Sequence, residues 1–147
     1  MKKLWLLTSM LSIIFLASCT TLWKSVKDAS PYQIGKSTTI VYLLGKEQLN
    51  ENQKKSIETA YLKFEELTKI ITVDNIQELK PNLDKKLEEL LKDEKQYALA
   101  SEFIDRVWNK LVTEHNVDKL TNLKAYNVII EFRQGIRDAL EKYDFLK

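Results

Sequence analysis

One cysteine, Cys19, and one histidine, His115, are the only side chains of their kind in the 147 residues, and they set the range of chemistry open to this chain. A Cys–His nucleophile pair needs both groups in contact, and a zinc site needs several such ligands; neither can be assembled from one of each. His115 falls in an expected interhelical loop and reads as an ordinary loop residue. The three glycines, Gly35, Gly45 and Gly135, stand singly and cannot cradle a phosphate, and no G-x-G-x-x-G, P-loop, G-x-S-x-G or calcium-loop pattern occurs. Adjacent carboxylates such as Glu65 with Glu66, or Glu88 with Glu89, point to different faces of a helix and do not form an acid–base pair. The expectation is a protein that is not an enzyme, with no cofactor and no metal.

What remains is the position of Cys19. Met1, Lys2 and Lys3 form a basic start, Leu4 to Phe15 an apolar stretch, and Leu16, Ala17 and Ser18 a small-residue approach to the cysteine. This is the pattern of a secretory signal, and its apolar stretch is too short for a permanent membrane span. The run Leu16-Ala17-Ser18-Cys19 resembles the lipobox of bacterial lipoproteins. That resemblance implies a type II signal peptide over residues 1–18, cleavage before Cys19 and acylation of its sulfur, with palmitate or a similar chain. Two or more chains hold a protein stably at a membrane where one does not. Thr20 in place of an aspartate implies sorting to the outer membrane if the host is Gram-negative. With its one thiol acylated, the mature chain has no internal disulfide and depends on packing.

The signal carries two lysines and no acid, so of the 23 Lys+Arg against 21 Asp+Glu the mature part keeps 21 against 21. The slight basic excess therefore belongs to the signal and is no footprint of nucleic acid or anionic lipid. Residues 19–29 read as the acylated cysteine and a short tether, and residues 30–147 as one helical domain with one core. Trp23 in the tether reads either as an interfacial indole at headgroup depth or as a solvent-exposed residue.

Ser30 before Pro31 is an N-cap with proline at the first helical position, and Gly45 is placed to end that segment. Ile34, Thr38, Val41 and Leu44 fall on one face of it, although the β-branched run 38–41 leaves a strand open. Asn50 with Gln53 reads as a capping box before Ile57, Tyr61, Phe64, Leu67 and Ile71 at helical spacing. After Pro81, positions Leu83, Leu87, Leu90, Glu94, Tyr97, Ser101, Ile104, Trp108 and Leu111 alternate fours and threes. This predicts a heptad seam about 45 Å long if continuous from 82 to 113, with the polar cluster 92–95 as the one place to break. A last helix begins near Leu120 or Asn122 and carries Tyr126, Ile129, Ile136, Leu140 and Tyr143, with Arg133 inside the stripe. Glu94 and Arg133 are charges set into apolar stripes.

The fold class is thus all-α: a small bundle of three to five helices with one long helix, behind a cleaved signal and a tether. Charge pairs at helical spacing, Glu51 with Lys55, Glu65 with Lys69, Glu88 with Lys92, Glu102 with Arg106 and Asp138 with Lys142, mark solvated faces. Phe103 and Phe132 lie off the main stripes and are the candidate partner contacts, beside Trp23 as a lipid-interface contact. The tail ending at Lys147 resembles the end of the murein lipoprotein, whose terminal lysine is joined to peptidoglycan, on a chain that is longer and less regularly heptad. The expected function is that of a membrane-anchored envelope lipoprotein acting through binding or structural contact with an envelope protein. The alternatives are a prophage- or plasmid-encoded lysis or exclusion lipoprotein, a surface binder of host factors, and a carrier of an apolar ligand.

Overall fold

Two reciprocal caps start the first two helices, and both are written in the sequence. The Ser30 hydroxyl accepts the Gln33 N–H at 3.3 Å while the Ser30 N–H donates to Gln33 Oε1 at 3.0 Å, opening α1 (Pro31–Leu44). Asn50 and Gln53 repeat the exchange at 3.0 and 2.9 Å and open α2 (Glu51–Ile70). The computed structural model describes residues 29–46 and 48–146, so the signal, Cys19 and the tether with Trp23 lie outside the described residues, as does Lys147. A 3₁₀ segment, Val73–Glu78, leads into α3 (Leu79–Leu90). Next come α4 (Glu94–His115), a single 3₁₀ turn at Val117–Lys119, and α5 (Asn122–Lys142). Five α-helices with no strand among the described residues make an all-α bundle, and the β-branched run 38–41 is helical.

The heptad seam is real in its residues but is carried by two helices instead of one continuous rod from 82 to 113. Leu91 leaves the helical region, with φ −101° and ψ 93°. The Asp93 carboxylate then accepts the Gln96 N–H at 2.9 Å and starts α4 afresh. A short acid that bonds a backbone N–H three residues on stabilises a helix start more than a helix interior. The chain reverses there. Lys80 reaches Asp105 at 2.8 Å from the other side of the break, whereas on a straight helix these two would stand about 37 Å apart. Folding the seam into a hairpin buries Leu83 and Leu87 in the same core as Ile104 and Leu111, but leaves Leu90 and Glu94 at the bend exposed and Trp108 only half-buried.

The main packing contact joins α1 to α5. It is made through Gly35 and Gly135: a Cβ on Gly35 would stand 2.3 Å from the Phe132 carbonyl oxygen, and one on Gly135 would stand 2.0 Å from that of Tyr32. Backbones this close leave no room for side chains, so small residues at the crossing decide which faces meet. This overturns the face expected for α1. Ile34 is buried, but its companions in the core are Gly35, Thr39, Tyr42 and Leu43, while Val41 and Leu44 are 64% and 67% exposed.

Candidate functional site

Phe103 and Phe132, read as candidate partner contacts, are both 0% exposed and are core residues. Phe103 lies one position off the seam on a helix whose apolar stripe is wider than a strict heptad, and its ring meets that of Tyr42 at 5.3 Å. Phe132 fills the space that the missing side chain of Gly35 provides. Glu94 and Arg133 do not meet. Arg133 donates from Nη1 to the Thr68 hydroxyl at 2.9 Å, while Glu94 is exposed in the first turn of α4. His115 ends α4 instead of lying in a loop, half-buried with its Nε2 enclosed and unpaired.

Most ion pairs among the described residues lie within one helix, but Lys36–Asp138, Lys46–Glu102, Lys80–Asp105 and Arg137–Glu65 join distant parts of the chain. Glu65 does pair with Lys69 at 3.4 Å, and also with Arg137 of α5 at 3.2 Å. Glu102 turns to Lys46 at 2.8 Å instead of Arg106, and Glu51 takes Lys54 at 3.2 Å instead of Lys55. Asp138 leaves Lys142 and accepts the Tyr32 hydroxyl at 2.5 Å and the Gln134 amide at 2.8 Å. The Tyr32 bond holds the Asp138 carboxyl below its ordinary range, against a smaller upward push from burial. Under the Glu65–Arg137 pair lies Tyr61, whose buried hydroxyl has no partner. Burial first, and Glu65 second, push its phenol up, with Arg137 and Arg133 opposing.

The outer side of α1 differs from all of this. Gln33, Ser37, Thr38, Ile40, Val41 and Leu44 form a face without charge, and the one charge of the helix, Lys36, is turned toward Tyr32 and Asp138. Between this face and α4 runs a groove of about 420 Å³, lined by Ala29, Gln33, Ile34, Lys36, Ser37, Ile40, Lys110 and Glu114. Ser37 and Lys110 also line a second hollow of about 270 Å³, which reaches Val41 and Arg106. The floor is aliphatic and the rim is the Lys110–Glu114 ion pair. Such a trough accommodates an amphipathic side chain, apolar in body and polar at its tip. In the sequence Val41 and Leu44 read as core, and nothing but the glycine spacing of α1 and α5 signals that they face out.

Among the described residues no three His, Cys, Asp or Glu side chains stand together as a metal site, and no helix is long and apolar enough to cross a membrane. No protein family, curated protein or solved structure matches this chain.

Proposed function

We propose that this protein is a lipid-anchored bacterial envelope protein that acts through binding and not catalysis. The observation that carries the reading is the run Leu16-Ala17-Ser18-Cys19 at the end of an apolar stretch behind Lys2 and Lys3. The fold supports it in one respect. α1 opens at its Ser30 cap, so ten residues separate Cys19 from the described bundle. That length holds the bundle within about 35 Å of its anchor even when fully extended. The uncharged outer side of α1, the helix nearest the anchor along the chain, is the surface offered to an envelope partner, since apolar side chains left in water on a small domain mark contact sites.

The test is metabolic labelling in a bacterial host. Wild-type protein should take up labelled palmitate and fractionate with membranes, and Cys19→Ala should remain an unlabelled precursor. A wild-type protein that matures without taking up label would sink the anchoring.

A further inference from the structure

The groove between α1 and α4 begins at Ala29, the first described residue, so the chain that precedes it enters the bundle at the groove's mouth. We infer that this groove is the docking site of the protein's own segment Thr20–Asp28, with the Trp23 indole seated over Ile34 and Ile40.

Reach, chemistry and supply agree. Trp23 precedes Ala29 by six residues, a span of up to about 20 Å, and the groove runs from Ala29 along the ten helical residues Pro31–Ile40, about 15 Å. In that segment the large apolar side chains are Leu22, Trp23 and Val26, which suit a floor of Ile34 and Ile40 whose one charged α1 residue, Lys36, carries its ammonium to Tyr32 and Asp138. The rim suits an indole in particular. The Lys110 ammonium can lie over its face and the Glu114 carboxylate can accept its Nε1–H, so the polar tip keeps a partner while the ring leaves water. Docking shortens the connection between anchor and bundle and covers half of the uncharged face. A partner that takes the groove releases the segment and lengthens the tether.

The inference rests on the proposed processing only in that the signal must be gone. It does not involve the acyl group, so a chain beginning at Thr20, which keeps every residue of the described core, tests it alone. In a Trp108→Phe background Trp23 is the one remaining indole of that chain. Its emission should be blue-shifted and its acrylamide quenching several-fold weaker than that of a free indole. Ser37→Arg, an exposed position lining both hollows, should restore free-indole quenching without altering the helical circular dichroism. Ile40→Asp should do the same from the groove floor. Free-indole behaviour in the parent chain overturns the inference. Protection that disappears on dilution overturns it in favour of a second copy in the groove. Protection that requires added phosphatidylethanolamine–phosphatidylglycerol vesicles overturns it in favour of the bilayer.

Discussion

Gly135 of α5 lies so close to Tyr32 of α1 that a Cβ built on it would come within 2.0 Å of the Tyr32 carbonyl oxygen and 2.8 Å of the Lys36 amide nitrogen. Gly35 makes the reciprocal approach to Phe132. The obstacle in each case is backbone, which cannot swing aside as a side chain does. Adding one methyl at either position therefore forces the two helices apart along their main contact.

Gly135→Ala and Gly35→Ala should each cost about 3 kcal/mol, the upper part of the overpacking range, despite the better helix propensity of alanine. The melting temperature should fall by about 10 °C in a domain of this size. Gly45→Ala is the control. Gly45 has an ordinary helical φ of −77°, and its nearest contact for a Cβ is 3.3 Å, so its melt should stay close to wild type. Three coincident melting curves would show that the crossing is looser than described.

Beside this crossing the Tyr32 hydroxyl donates to Asp138 and accepts from Lys36 at 3.0 Å. A carboxyl held below its ordinary 3.8 stabilises the fold above that value and loses the contribution as pH falls through its lowered, folded-state value. Tyr32→Phe should therefore destabilise by about 1 kcal/mol at neutral pH, the scale of a partly exposed bond to a charged group. The gap from wild type should close below the ordinary carboxylate range. Denaturant titrations at stepped pH read this directly, and a gap unchanged down to acid would remove Asp138 from the account.

Most of the architecture was legible in residue order because its signals are local. Ser30 with Gln33 and Asn50 with Gln53 act within one turn, and helical spacing from Ile57 to Phe64 needs no distant partner. What the sequence hid is set by long-range contact. The outward turn of Val41 and Leu44 follows from two glycines a hundred residues apart, and Phe103 and Phe132 are buried by Tyr42 and by the space at Gly35. The break at Leu91 was signalled by the polar cluster after it, but that the chain reverses there follows from long-range packing, with Leu83 and Leu87 joining Ile104 and Leu111 in one core. The groove was illegible for the same reason, since it exists only once α1 has chosen its face against α5.

Burial ranks the two large aromatics opposite to their seam positions. Phe132→Ala removes a fully buried ring and should cost about 3 to 5 kcal/mol. Trp108→Ala removes a half-buried one and should cost only about 1 to 2 kcal/mol. Thermal melts of the pair decide it, and the reverse order would place Trp108 in the centre of the core.

Tyr61 is a candidate for gain. Its ring fills the core at 1% exposure while its hydroxyl is enclosed without a partner, a group whose lost hydration nothing replaces. Tyr61→Phe keeps the ring and removes that cost, so stability should hold or rise by about 1 kcal/mol. A clear loss in the melt would reveal a partner for the hydroxyl, a buried water foremost.

Asp93 caps the helix that follows the reversal between α3 and α4. Asp93→Ala leaves the Gln96 N–H without its acceptor and should cost about 1 kcal/mol, while Asp93→Ser, which keeps a capping oxygen, should cost less than half of that. The cap starts α4 but is not what holds the hairpin shut, because Leu83 and Leu87 stay buried with Ile104 and Leu111 in one core. Asp93→Ala should therefore keep the Lys80 to Asp105 proximity, measured by cross-linking cysteines placed at those two exposed or half-exposed positions in a Cys19→Ser background. Loss of that cross-link in Asp93→Ala would mean that the cap itself closes the hairpin, and that α3 and α4 can open into the single rod their heptad spacing describes.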